Sequence, residues 1–205
     1  MDKTQTTDLK IKLYSETSLP TTWGMFQISV YRDNKTQDET ILISKNLDSV
    51  ESPFVRIHSE CITGEVFGSL KCDCREQLNL ALAKIETDGS GAVVYLRQEG
   101  RGIGLGNKIK AYALQNQGLD TIEANHKLGF GTDLREFDIA ALVLKDKKVT
   151  SVKLNTNNPE KLSSLESNGI EIKERIPSIT SVNSHNEPYL ETKYKKLGHL
   201  LGKLF

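Results

Sequence analysis

Apolar and polar residues alternate along LKIKL (9–13), GMFQISVY (24–31) and ETILISK (39–45), and this period of two predicts three half-buried strands. Leu19-Pro20 and Arg32-Asp33-Asn34 read as breakers between them, and FVRIHS (54–59), opened by Pro53, predicts a fourth strand. The period then changes. In REQLNLALAKIE (75–86), Leu78, Leu82 and Ile85 recur at helical spacing until Asp88-Gly89-Ser90-Gly91 stops the pattern. GAVVYL (91–96) is a continuous apolar run, as a buried strand requires. Helices are predicted over NKIKAYALQNQ (107–117), ended by Gly118, and over LREFDIAALVLK (134–145), where Leu134, Phe137, Ala141 and Leu144 share one face. VTSVKLN (149–155) and IEIKERI (170–176) predict strands. Between them a helix starts at Asn157-Asn158-Pro159-Glu160, with a capping Asn and a first-turn Pro, and stops before Gly169. YLETKYKKLGHLL (189–201) predicts a last amphipathic helix. A β-rich first third followed by alternating helices and strands predicts one α/β (α+β) domain over residues 1–205, with a mixed sheet flanked by helices.

Composition narrows the class. The 205 residues are 37% hydrophobic and 26% charged, a balance that excludes disordered and low-complexity chains. Twenty-seven Lys and Arg offset twenty-seven Asp and Glu, so no global field favours nucleic acid or a membrane surface, and neither partner is expected. No apolar run approaches the ~20 residues needed to span a bilayer. MDKTQTTDLK shows no hydrophobic segment resembling a leader, and a cytoplasmic protein is expected.

All three cysteines, Cys61, Cys72 and Cys74, fall in one short stretch. An odd count argues against a disulfide framework, and a Cys72–Cys74 bridge would be strained. Three thiolates at this spacing suit Zn²⁺ and leave one coordination position for water, the arrangement of catalytic zinc. Two other readings stand beside it: inert buried thiols, or a closed structural site completed by His58 or His126. His58-Ser59-Glu60 also resembles the H-x-E of zinc nucleobase deaminases, but Cys72-Asp73-Cys74 lacks that signature's Pro and second spacer.

LRQEGRGIGLGNKIKAY (96–112) sets Arg97, Arg101, Lys108 and Lys110 against Glu99 alone, a local charge of plus three in a neutral chain. Four glycines between Gly100 and Gly106 let backbone N–H groups approach a ligand ahead of a helix N-terminus. Phosphate binding is favoured over a merely flexible loop, although the stretch is neither a dinucleotide fingerprint nor a Walker A loop. Thr156, Asn157 and Lys161 at the later helix start form a second candidate phosphate contact. Asp133-Leu134-Arg135 reads locally as a helix-start acid and a solvated Arg, since residues i and i+2 do not face each other on a helix.

RIHSECITGEVFGSLKCDC (56–74), RQEGRGIGLGNKIKAYALQNQGLDTIEANHKLGF (97–130) and TNNPEK (156–161) closely resemble GTP cyclohydrolase II, and the resemblance runs from LPTTWGMFQ (19–27) to TKYKKLGHLL (192–201). It implies an enzyme that hydrolyses GTP at the first step of riboflavin biosynthesis. Formate and pyrophosphate leave, and 2,5-diamino-6-(5-phosphoribosylamino)pyrimidin-4(3H)-one remains. It implies one Zn²⁺ per subunit on Cys61, Cys72 and Cys74, Mg²⁺ with the triphosphate, and a homodimer. GTP would be contacted by Arg56, Ile57, His58, Ser59 and Glu60, by Gln77, by Glu99, Gly100 and Arg101, and by Thr121, Thr156 and Lys161. Asp133 would accept a proton, Arg135 would attack the α-phosphate, and Tyr112 would help complete ring opening. A guanidinium is a poor nucleophile, so a bidentate phosphate clamp is the competing role for Arg135. At 205 residues the chain leaves no room for the dihydroxybutanone-phosphate synthase domain fused in many relatives, which implies the stand-alone enzyme. A zinc-dependent purine deaminase and a non-catalytic GTP-binding module with structural zinc are the alternatives. The first would release ammonia, and the second would consume nothing.

Overall fold

The alternating segments pair into a seven-stranded mixed sheet ordered β1-β2-β3-β5-β4-β6-β7 in the computed structural model, which describes residues 9–36 and 38–201. Residues 1–8, which carry most of the segment read for a leader, and the last four residues of the expected 1–205 domain lie outside the described residues. The strands β1 (Ile11–Pro20), β2 (Met25–Asp33) and β3 (Glu39–Lys45) form an antiparallel meander. The strand β5 (Gly91–Leu96) joins β3 antiparallel, whereas β4 (Phe54–Ser59), β6 (Ser151–Asn155) and β7 (Glu171–Ile176) extend the sheet in parallel. The fold is therefore α/β with a mixed sheet, as the alternation of elements predicts.

Helices cover both faces. The helix α1 (Ile62–Glu65) leads to α2 (Cys74–Asp88), whose Ala81, Leu82 and Ile85 pack with Phe26, Phe54 and Val93 on one face. After β5 come α3 (Gly104–Gln115), α4 (Thr121–Lys127) and α5 (Asp138–Asp146); after β6 comes α6 (Pro159–Ser167). The buried faces of α5 and α6 meet Tyr31, Leu42, Val55, Ile57 and Val94 on the opposite side. The two-residue strand period sorts β4 accordingly: Val55 and Ile57 enter that core, while Arg56 and His58 point to the α2 side. The carboxyl ends of β4, β5 and β6 thus open onto one crevice, where open α/β sheets place their ligands.

Several elements depart from the sequence expectation. The first strand begins at Ile11 and runs to Pro20, which pairs with Met25; Pro is tolerated there because β1 is an edge strand. The helices α1 and α4 have no counterpart in the expected elements. The helix expected over 134–145 begins only at Asp138, because Leu134 N donates to Arg101 O and the chain from 128 to 137 lies outside any helix. The last helix, α7 (Glu187–Leu197), stops at Gly198, whose left-handed φ of 62° turns the chain so that residues 199–201 run on without helix. Among the described residues, no helix is long and apolar enough to cross a membrane.

Candidate active site and metal centre

The metal centre assembles at the carboxyl end of β4. Cys61 precedes α1, Cys72 lies in the following loop, and Cys74 opens α2, so three separate backbone directions converge. Their sulfurs lie within 4.8 Å of one another, and Cys61 and Cys72 are 3.5 Å apart. Tetrahedral zinc with bonds of about 2.3 Å places thiolates about 3.8 Å apart, so the trio fits the ion. Hydrogen bonds from Cys72 and Cys74, with help from Lys108, hold the Cys61 thiol far below its ordinary value; the bond to Cys61 pushes Cys72 up to about 11 against the opposing pull of Cys74, and its bonds to Cys61 and Cys72, with burial, hold Cys74 well above its ordinary value. Lys108 Nζ sits 3.1 Å from Cys61 Sγ and 2.6 Å from Glu99 Oε1. Glu99 also accepts from the backbone N–H groups of Ile62 and Gly100, tying the glycine loop to the Cys61 turn.

Neither histidine supplies a fourth ligand. The Arg56 guanidinium can only donate, so its 3.0 Å bond to His58 Nδ1 fixes the ring proton on Nε2, which faces Glu65 Oε1 at 2.8 Å. His126 pairs with Thr132. Among the described residues the clustered donors are the three cysteines alone. Gly64 is wedged against them: a Cβ there would lie 2.9 Å from Cys72 Sγ and 3.3 Å from Cys61 Sγ. Gly64→Ala is expected to weaken zinc binding about tenfold to a hundredfold, checked by titration against a competing chelator.

Burial pushes His58 down from 6.5 to about 4, against the pull of Glu65. The unfolded imidazole takes a proton that the buried ring refuses, so this contribution to stability is present above pH 6.5 and lost as the pH falls toward 4. Between pH 7 and pH 5 His58 should account for a loss of about 2 kcal/mol in urea denaturation, and His58→Gln should flatten that slope.

Two adjoining compartments open beside the sulfurs. The larger, about 290 Å³, is lined by Glu60, Glu99, Gly100, Tyr112 and Thr121 together with the three cysteines. The smaller, about 70 Å³, is lined by Arg56, His58, Gln77, Thr156 and Lys161. Ser59, Cys74, Arg101, Arg135 and Tyr189 border both. Two expected contacts differ. Ile57 turns its side chain into the core and offers only its carbonyl, 2.8 Å from Lys161 Nζ. Asp133 lines neither compartment but grips Arg135 from behind.

The local reading of that pair as a helix-start acid and a solvated Arg does not hold. Outside a helix, i and i+2 can face each other, and Arg135 Nε and Nη2 meet the two Asp133 carboxylate oxygens at 2.8 and 2.5 Å. Both side chains are 13% exposed. Burial opposes both charges, yet the pairing wins: Asp133 is held below and Arg135 above its usual value.

The smaller compartment concentrates unneutralised charge. Among the described residues, five Lys and Arg side chains line it and no carboxylate does. Arg135 and Lys193 have carboxylate partners. Arg56 donates only to neutral groups, His58, Asn155, Ser178 and Gln77, and burial lowers it to about 10. Burial, then Arg135, Arg56 and Lys193, drive Lys161 well below its ordinary value. Arg101 adopts a left-handed φ of 62°, an uncommon conformation for a non-glycine residue, and its buried Nη1 has no hydrogen-bond partner. Buried cations without counter-charge are costly unless a ligand supplies it.

With this geometry in place, a family model described as GTP cyclohydrolase II matches residues 12–177. The chain belongs to the GTP cyclohydrolase II family. It is 49% identical over 194 residues to GTP cyclohydrolase-2 of Teredinibacter turnerae, covering 94% of this chain and 98% of that one. It is 48% identical over 196 residues to the Saccharophagus degradans protein of the same name, covering 95% and 98%. It is 50% identical over 187 residues to riboflavin biosynthesis protein RibBA of Bacillus mycoides, covering 91% of this chain but 47% of that relative, about half its length. As a GTP cyclohydrolase II the chain is a hydrolase.

The GTP cyclohydrolase II match ends at residue 177, and several side chains that reach the site lie beyond it. Ser178 bonds Arg56, Thr180 bonds Asp73, and Tyr189, Lys193 and His199 line the smaller compartment. The site residues expected from the sequence end at Lys161, although the resemblance runs on through the amphipathic stretch to residue 201. No local motif marks these residues, because their partners lie more than 100 positions away.

Proposed function

We propose that this enzyme opens the imidazole ring of GTP and releases formate and pyrophosphate, leaving the diaminopyrimidinone ribosylamine phosphate that begins riboflavin synthesis. One observation carries the reading: among the described residues, a three-thiol centre with no fourth protein ligand shares a wall with a compartment holding three basic side chains that no carboxylate neutralises. A triphosphate supplies the missing charge, and its purine then lies in the larger compartment beside the sulfurs. Cys61, Cys72 and Cys74 would hold Zn²⁺, which when bound supplies Lewis-acid activation of water at neutral pH. Mg²⁺ would be carried largely by the phosphates.

The chain's own groups divide the work. Arg56, Arg101 and Lys161 bind and orient the polyphosphate and stabilise charge as pyrophosphate leaves. Arg135, aimed by Asp133, clamps the α-phosphate. Tyr112, pushed up to about 12 by burial, stays protonated and offers a donor on the purine side. Glu60, raised by burial, borders the same compartment. The reading extends to a single catalytic unit over residues 1–205 acting as a homodimer, and the exposed apolar run Val66, Phe67 and Leu70 is the surface on which to test dimerisation.

The test is incubation with GTP and Mg²⁺, with and without a zinc chelator, scoring formate and pyrophosphate together. Ammonia in place of formate identifies a deaminase, and binding without consumption identifies a regulatory module. ATP should not be turned over at a comparable rate. Arg135→Lys keeps one charge but loses the fork, and is expected to slow pyrophosphate release about a hundredfold. A trapped guanylyl adduct on Arg135 would instead establish covalent attack.

A further inference from the structure

The segment beyond residue 177 supplies part of the lining of the smaller compartment, through Ser178, Tyr189, Lys193, His199 and Leu201. Lys193 Nζ lies 4.3 Å from the centroid of the Tyr189 ring, and Arg101 Cζ approaches the same ring at 6.0 Å. Tyr189 therefore sits between two cations at the border of both compartments, beside the unpartnered Arg101 Nη1. Past the left-handed turn at Gly198 the chain is fixed in place: Leu200 N donates to Asn157 O at 2.8 Å, and Leu201 is buried. This brings the His199 ring to the compartment wall. Burial and the neighbouring Lys193, Arg135, Lys161 and Arg101 lower it to about 3, so it stands there as a neutral ring with one N–H to donate. Lys193 has a second attachment, 3.1 Å from Asp73 Oδ1, and Asp73 lies between the two cysteines of the metal hook. The carboxylate of Asp73 is also held by Gln77 and Thr180, so Lys193 is not its sole support.

We propose that residues 187–201 form a working wall of the nucleotide site, in which Lys193 and His199 bind the polyphosphate and Tyr189 divides the phosphate from the purine. This deepens the proposed function and rests on its assignment of the smaller compartment to phosphates. The wall makes affinity depend on the length of the phosphate chain, because its donors are added to those of Arg56, Arg101 and Lys161 in one small space.

The test is calorimetric titration of the zinc-loaded full-length protein with inorganic tripolyphosphate and, separately, with guanosine. Lys193→Met should weaken tripolyphosphate binding about tenfold and His199→Ala about fivefold, while guanosine affinity stays within about twofold. His199→Ala leaves the Asp73–Lys193 pair in place, so it carries the test even if Lys193→Met disturbs the hook, and zinc content is measured on every variant. Hydrogen exchange across 187–201 should slow when tripolyphosphate binds. Unchanged tripolyphosphate affinity in His199→Ala and Lys193→Met with zinc retained, or unchanged exchange across the segment, overturns the proposal. If tripolyphosphate binds through these residues while GTP is left intact, the wall stands and the proposed reaction falls.

Discussion

Cys72→Ser is expected to lower formate release about a thousandfold or more while leaving the fold standing. A serine hydroxyl stays protonated at neutral pH and is a poor ligand for a borderline-soft ion, so two thiols would remain where three converge. Losing Lewis-acid activation removes several kcal/mol of transition-state stabilisation, and about 4 kcal/mol corresponds to a thousandfold. The core clusters are built from the sheet with α2, α5 and α6, and no cysteine belongs to them. Far-ultraviolet circular dichroism should therefore change little, while zinc content and formate fall together. Unfolding on zinc removal would point instead to a metal that serves structure alone.

Lys161→Met should make the ligand-free protein more heat-stable and at the same time almost inactive. Lys161 is 7% exposed, its ammonium has one neutral acceptor in Ile57 O, and Arg135, Arg56 and Lys193 crowd it. Burying this amine at neutral pH costs stability, because it must either stay charged without a counter-ion or give up its proton, and an apolar chain of similar length removes that cost, about 1–4 kcal/mol or a rise in Tm of about 3 °C or more at this size. Activity should fall about a hundredfold with the loss of a phosphate contact. The depressed folded-state value carries a second signature. A bound polyanion favours the charged amine, so nucleotide binding should draw protons from solvent. Binding heats in buffers of different ionisation enthalpy read that uptake, and it should shrink in Lys161→Met. A lower Tm in the variant would show that the free enzyme stores no such repulsion.

Short-range signals carried most of what the sequence disclosed. The three cysteines sit within 14 positions, the glycine loop and its charge within 17, and the Asn158 cap bonds Glu160 N as its pattern requires. The strand β1 runs beyond its alternating stretch because its residues are nearly all exposed, so burial imposes no alternation on them. The helix α4 opens on a capping box, Asp120 with Glu123, a local signal that the sequence does carry. Leu134 suggested an early start for α5, yet it is half exposed and packs on Gly102, where an added Cβ would come within 3.2 Å of it. The remaining site contacts, Arg56 to Asn155 and Ser178 and Asp73 to Lys193, are products of the chain's return path and leave no local trace.

Among the described residues, nothing before Arg56 borders either compartment, and the meander β1–β3 occupies one margin of the sheet. That division of labour makes the exposed edge strand β1 and its turn to β2 a place where polypeptide can be lengthened or spliced with little consequence for turnover, whereas Phe26, Tyr31 and Leu42 tie β2 and β3 to the cores.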